Sequence, residues 1–384
     1  MTKYLIWLQT ALGQGSVRAL KALSLFGNAE NIYKADLNER KSSRIFTKKD
    51  LENLSKTTID DALKIINECN ENHIRIVAIG DIDYPYCLSV LEDAPLVIYV
   101  KGDLPDFEKT PSICIVGPRK VTEGGKKAAY SLSFRLAAAG FTVVSGGAVG
   151  SDTYAHAGAL KANGKTVLVM GCGICNDYLS KNAPLRDAVS KSGCLISEYP
   201  PFTPASKFTF PVRNRLLSAL SDGTVVIEAP KRSGALITAH HAIDQGKEVF
   251  VVPGGVKAKE FEGSNALLRD GAKPILDISD ILGEYIYRFP DKIDVQRAIS
   301  CSPIGVKKET EPQNIKKIEK IEKILPETLS KEAKIVYNYL DKQKFLPEEL
   351  DVPELSAGEL LSALTELEME FIIKAIPGGM YEKI

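Results

Sequence analysis

From Ser112 to about Gly283, short apolar runs alternate with longer segments of helical periodicity, and this alternation restricts the fold more than any other feature of the chain. The runs SICIVG, FTVVSG, TVLVMG, CLISEY, TVVIEA, EVFVVP and PILDI are separated by stretches such as GGKKAAYSLSFRLAAAG and GALITAHHAIDQG. Strands without a polar side must be covered on both faces, and intervening crossover helices supply the cover. The expectation is an α/β domain built on a doubly wound parallel sheet. Ligands of such sheets gather outside the carboxyl ends of the strands. Gly117, Ser145, Gly171, Ser197, Glu198, Glu228 and Pro253 fall there.

The flanks read differently. YLIWLQTALGQGSVRALKALSLFG carries helical Leu and Ala spacing, broken at Leu12, Gly13, Gln14 and Gly15. Two short helices joined by a G-x-G turn resemble a SAM-like or helix-hairpin-helix unit, whose turn either offers N–H groups to a DNA phosphate or serves packing alone. From Ile74, IRIVAIG and LVIYVKG read as strands around the Pro-containing segment DIDYPYCLSVLEDAP. Beyond Gly283 a Lys- and Glu-rich stretch reads as a linker. The last segment shows helical patterns and then FIIKAI, Pro377, Gly378, Gly379 and MYEKI, a winged-helix-like ending. Acidic residues there, Glu348, Glu349, Asp351 and Glu354, favour a protein-binding or regulatory use over groove reading. The expected division is 1–67 helical, 68–287 sheet domain, 288–326 linker and 327–384 winged-helix-like.

Composition excludes several classes. A formal net charge of +0 rules out a general polyanion coat, so any nucleic-acid contact must be a local patch. Seven scattered cysteines do not make a secreted disulfide framework. No apolar run has membrane-spanning length and MTKYLIWLQT lacks signal-peptide features, so a cytoplasmic protein without membrane contact is expected. Some motif-like segments fail on inspection. GALKANGKT lies between a helix and a strand, the reverse of a phosphate loop, and has one residue too many. GCGICN lacks the third glycine of a dinucleotide fingerprint, and Cys172 with Cys175 finds no further ligands for zinc. His240 and His241 are adjacent and so point about 100° apart on a helix, which prevents chelation of one ion. No cofactor, no metal and no catalytic residue are expected.

What remains suits an anionic chain. In VVSGGAVGSDTYAH, Ser145, Gly146, Gly147 and Gly150 form a turn between strand and helix whose bare N–H groups can meet phosphate. Arg119 follows the first parallel strand, where a guanidinium can grip phosphate with two donors. In KFTFPVRNRLLSALSDG, Lys207, Phe210, Arg213, Asn214 and Arg215 interleave cations with aromatics, a pattern suited to single strands because a ring stacks on any base. On a helix Arg213 and Arg215 point about 200° apart, so one at most faces a ligand and the other braces the sheet. Ser233 and Gly234 open another helix, a second anion position.

The run GPRKVTEGG, SGGAVGSDTYAH, SEYPPFTP, FPVRNRLLSALSD, VVIEAPKRSGALITA, QGKEVFVVPGG and GSNALLRDGA, in this order, resembles the DNA-processing protein A family, also called DprA or Smf. The resemblance implies an extended Rossmann-like fold, single-stranded DNA as ligand, a homodimer, and help in loading the RecA recombinase during natural transformation. By position Arg119 matches the Arg of the family's G-S-R motif, and Ser145, Gly146, Gly147, Gly150 and Asp152 match its glycine-rich loop. Lys207, Phe210, Arg213, Asn214 and Arg215 match its F-P-x-R-N-R segment. Pro118 departs from the usual Ser, removing a hydroxyl and an N–H, and Gly147, Ser151 and Leu179 depart as well. The alternative is a nucleotide-cleaving hydrolase of the lysine-decarboxylase-like group, but Pro253, Gly254 and Gly255 run into VKAKE without that group's threonine and carboxylate.

Overall fold

The computed structural model describes residues 1–178, 180–301, 329–340, 344–347, 350, 352–369, 372–376 and 380–383. The chain divides into two compact units, Met1–Val306 and Lys307–Ile384.

The first unit is organised by a nine-stranded sheet. Its strands are β1 (Arg75–Ala78), β2 (Val97–Gly102), β3 (Ser112–Val116), β4 (Thr142–Ser145), β5 (Thr166–Met170), β6 (Cys194–Ser197), β7 (Gly223–Val226), β8 (Glu248–Val251) and β9 (Lys273–Pro274). The order is β1-β2-β6-β5-β4-β3-β7-β8-β9. From β6 to β9 all neighbours are parallel, whereas β2 pairs antiparallel with both β1 and β6. Each apolar run forms its expected strand, but of PILDI only Pro274 falls in the two-residue edge strand Lys273–Pro274, and Ile275 adds a bond from its N–H to the Val251 carbonyl. An edge strand is where a proline, with no N–H to donate, is tolerated.

Every residue of β3, β4, β5 and β6 is buried, as a sheet covered on both faces requires. Ile113, Ile115, Val143 and Val225 pack with the helices Glu123–Ala138 and Ser151–Lys161 on one face. Cys114, Val116, Val144 and Val226 pack with Thr209–Ala219 and Gly234–Asp244 on the other. The chain is therefore doubly wound. From β3 the order proceeds through β4, β5 and β6 on one side and β7, β8 and β9 on the other, so the switch point lies beside the carboxyl end of β3.

The N-terminal region is wholly helical, with Thr2–Leu12, Val17–Phe26, Ala29–Lys34, Leu37–Ser42, Lys48–Lys56 and Ile59–Glu71. Reciprocal capping boxes at Asp36/Glu39, Thr47/Asp50 and Thr58/Asp61 fix three of the starts. Trp7 is fully buried, and its indole N–H donates to the Thr57 carbonyl at 2.8 Å. These helices share a core with Val97 and Tyr99 of β2, Leu168 of β5 and Leu195 of β6.

At the other end of this unit the structure departs from the composition-based reading. Phe289, Ile293 and Ala298, inside the span expected as linker, are buried against the sheet's helices, and Arg135 Nε donates to the Ala298 carbonyl at 2.9 Å. A few apolar anchors among many charges suffice to dock a short segment. Residues 302–326 of that span lie outside the described residues, as do Glu348, Glu349, Asp351 and the turn Pro377, Gly378 and Gly379.

The second unit contains the helices Lys331–Asn338 and Ala357–Met369 and a three-stranded antiparallel sheet. Met380–Lys383 sits between Lys344–Phe345 and Ile373–Ile376. Among the described residues these helices precede the antiparallel pair Ile373–Ile376 and Met380–Lys383.

Candidate nucleic-acid interface

The glycine-rich turn after β4 is a packing device as much as a loop. Gly150 has φ of +101°, and a Cβ there would run into the carbonyl oxygens of Pro118 and Arg119. Gly117 in turn leaves no room for a side chain beside Ser151. The loops after β3 and β4 thus interlock, and Pro118 accepts from the Ser151 N–H at 3.3 Å.

Inside the turn, Ser145 is fully buried and donates its hydroxyl to the Ile115 carbonyl at 2.7 Å. Gly146 lies against the Asp152 carboxylate and the Arg213 guanidinium, both too close to admit a Cβ. Asp152 accepts from the Ala148 N–H at 3.2 Å. Burial pushes the Asp152 carboxyl above the ordinary carboxylate range, and the neighbouring Arg213 opposes that shift. Gly147 and Ala148 are half-buried and Val149 is exposed, so the outer rim of the turn alone meets solvent. Asn182, which the sequence reading passed over, steadies that rim by donating to the Gly147 carbonyl at 3.1 Å.

Arg119, after β3, is exposed, and its guanidinium lies 5.5 Å from the centre of the Phe210 ring. Tyr178 packs against Phe210 with ring centres 5.1 Å apart, and Arg213 lies 5.9 Å from the same ring. These residues come from the loops after β3 and β5 and from the helix Thr209–Ala219. A cation–π pile therefore stands at the carboxyl ends of the strands. Leu179, next to Tyr178, lies outside the described residues. Lys207 and Phe208 are both exposed just before the helix, with the ammonium 5.1 Å from the Phe208 ring centre.

The F-P-x-R-N-R cations face inward, contrary to a reading that grouped them with surface contacts. Arg213 and Arg215 are 6% and 4% exposed. Arg213 donates to the Val169 carbonyl and, through Nε, to Asn214 Oδ1 at 3.2 Å. Asn214 donates to the Gly234 carbonyl at 3.2 Å, tying this helix to the next. Arg215 forms ion pairs with Asp93 at 2.7 Å and Glu198 at 2.9 Å. The expectation that at most one of the two arginines faces a ligand becomes that both brace the interior.

Glu198 also accepts from the Gly15 N–H at 3.1 Å. The G-x-G turn of the N-terminal helices is thus engaged by a carboxylate of the sheet unit, the packing use rather than the phosphate use. Beside it Gln9 donates to the carbonyls of Val97 and Glu198 and accepts from the Val97 N–H, each at 3.0 Å.

Ser233 caps the helix Gly234–Asp244, accepting from the Ala235 N–H at 3.3 Å. Gly234 is exposed with open space around it, and Lys231 and Arg232 are exposed just before it.

One position that sequence reasoning registered only as a strand end lies where a dinucleotide phosphate would sit. The helix Glu123–Ala138 follows β3, the place where a Rossmann fold holds a dinucleotide pyrophosphate. Here Glu228, fully buried after β7, occupies it. Its carboxylate accepts from the Thr122 N–H at 3.1 Å and from the Thr122 hydroxyl, and Gly125 leaves it room. An internal carboxylate thus takes the Thr122 N–H and hydroxyl beside the helix start, where a cofactor phosphate would sit. The start of the helix at Ser151 is closed by the Pro118 carbonyl, which takes the Ser151 N–H, whereas the start at Gly234 is exposed.

Among the described residues no cluster of His, Cys, Asp or Glu could hold a metal, and no helix is long and apolar enough to cross a membrane. Cys172 and Cys175 are free.

The family model for DNA recombination-mediator protein A matches residues 75–286, more than half of the 384. The chain belongs to that family. Its relatives include the DNA processing protein DprA of Bacillus subtilis (strain 168), 38% identical over 221 residues that cover 58% of this chain and 74% of that protein. Protein Smf of Synechocystis sp. is 29% identical over 343 residues and covers 83% of each chain. Among solved structures, DprA from Streptococcus pneumoniae superposes with a TM-score of 0.64 at 31% identity, covering 74% of this chain and 98% of that one. DNA processing protein A from Helicobacter pylori, described for a single-stranded DNA binding mode, gives 0.50 at 30% identity over 56% of this chain and 98% of that one. As a member of the recombination-mediator family, the chain has a role in DNA processing.

Proposed function

We propose that this recombination mediator binds single-stranded DNA without regard to sequence, across the carboxyl ends of β3, β4 and β7, and hands it to the RecA recombinase. The observation that carries the reading is the exposed Arg119 on Phe210, flanked by exposed Lys207, at a switch point whose cofactor position is filled by Glu228. Arg119 and Lys207 neutralise phosphates, while the rim at Gly147 and the turn at Ser233 and Gly234 offer N–H groups. Phe210 presents a ring to a base, and Ser145, Gly146, Gly150, Arg213, Asn214 and Arg215 shape the surface from beneath. The single-stranded mode described for the Helicobacter pylori relative supports this choice of ligand.

In this reading the protein is a non-catalytic binder that works as a homodimer in the cytoplasm, in three parts: N-terminal helices, sheet unit and C-terminal winged-helix-like unit. Titrating labelled single-stranded and duplex oligonucleotides at two salt concentrations tests it. Preference for the single strand with a steep salt dependence is expected. Unchanged oligo-dT affinity in Arg119→Ala/Lys207→Ala would refute the site, and base released from a nucleoside monophosphate would replace binding by hydrolysis.

A further inference from the structure

We propose that Phe208, rather than Phe210 alone, is a base-stacking platform of this surface, and that the two rings hold different nucleotides of one strand. The inference rests on the single-stranded DNA reading above and assigns a further contact within it.

Phe208 is 73% exposed, although a ring of that size gains from burial. It does not stand on a loose loop. Its N–H donates to the Ser206 hydroxyl at 3.2 Å, and the Thr209 hydroxyl donates to the Ser206 carbonyl at 2.9 Å while accepting from the Ser206 N–H at 3.2 Å. The backbone that carries the exposed ring is therefore fixed before any ligand arrives. A ring held out in this way loses little freedom on binding, which favours contact.

Phe210 is in the opposite condition. Arg119 and Arg213 approach its ring, Tyr178 packs against it, and a Cβ on Gly171 would strike its edge. A base reaches Phe210 by displacing the Arg119 guanidinium. Phe208 needs no such displacement, because among the described residues its ring has no aromatic neighbour and its cation contact is the exposed Lys207 ammonium, which can turn to a phosphate. Residues two apart at a helix start point in nearly opposite directions, so one base cannot lie on both rings. The strand runs past the pair, with one base meeting Phe208 and another entering the Arg119–Phe210 pile.

Stacking needs a base, whereas phosphate contact does not, and this separates the roles. Affinity is measured for oligo-dT and for an abasic deoxyribose-phosphate oligomer of equal length, with wild type, Phe208→Ala, Phe208→Trp and Arg119→Ala/Lys207→Ala. Phe208→Ala is expected to weaken oligo-dT binding by about tenfold and to leave abasic binding unchanged. Phe208→Trp is expected to restore affinity, its fluorescence quenched by oligo-dT and not by the abasic oligomer above the constant signal of buried Trp7. An unchanged oligo-dT affinity in Phe208→Ala overturns the proposal, and so does an equal loss on both ligands. If wild type ignores oligo-dT, or the Arg119→Ala/Lys207→Ala variant binds it as wild type does, the underlying site assignment has failed, not merely the role of Phe208.

Discussion

Gly150, at the start of the helix Ser151–Lys161, and His156, in its middle, carry opposite kinds of constraint. Gly150 needs both a positive φ and the absence of a side chain, since Pro118 and Arg119 lie against it. Gly150→Ala is expected to cost about 2–3 kcal/mol, read as a lower urea midpoint at constant m-value. His156 is fully buried, with Nδ1 2.7 Å from the Thr166 hydroxyl, and burial holds its pKa down from the ordinary 6.5 to about 4. The unfolded chain takes up this proton near pH 6.5, whereas the native protein resists until about pH 4. Stability is therefore lost as pH falls through that interval, by up to about 3 kcal/mol from this group. Chemical denaturation between pH 7 and 4 should show a shallower decline in His156→Gln than in wild type.

The helix Thr209–Ala219 is the element on which the interface and the scaffold meet. Its outer end presents Phe210, while Arg215 is clamped by Asp93 and Glu198, and Glu198 reaches Gly15. Glu198→Ala leaves a buried guanidinium short of one carboxylate and frees the Gly15 N–H, so a loss of about 3 kcal/mol in global stability is expected by urea titration. The strands and helices of this region were legible because apolar runs and helical spacing need only local residues to be read. The direction of the two arginines was half legible. A 200° separation allows one to face out, and nothing in the spacing says that Asp93, far away in the chain, draws Arg215 inward. Phe208 and Phe210 read alike in sequence. What separates them is Tyr178 and Gly171 from the loop after β5, a contact between distant segments. Glu228 was visible as a strand end, but its target, Thr122, became known only once β3 and β7 were neighbours.

For the whole molecule, the net charge of zero leaves the exposed Arg119 and Lys207 as the cations of the proposed interface. If Arg119 and Lys207 each neutralise one phosphate, Arg119→Ala/Lys207→Ala should flatten the slope of log affinity against log salt by about 1.4. The core clusters of the first unit lie wholly inside Met1–Val306. A chain ending at Val306 is therefore expected to fold and to bind oligo-dT within about twofold of full length in the same titration. The carboxylate that Glu228 lodges at the start of the helix Glu123–Ala138 has a consequence for the protein in its cell. Dinucleotides and nucleoside triphosphates are abundant solutes, and a sheet of this kind that left its first helix open would report on their supply. Here the Glu228 carboxylate takes the Thr122 donors at that position, so saturating NAD or ATP is expected to fail to displace an oligonucleotide bound as proposed, beyond the effect of their ionic strength.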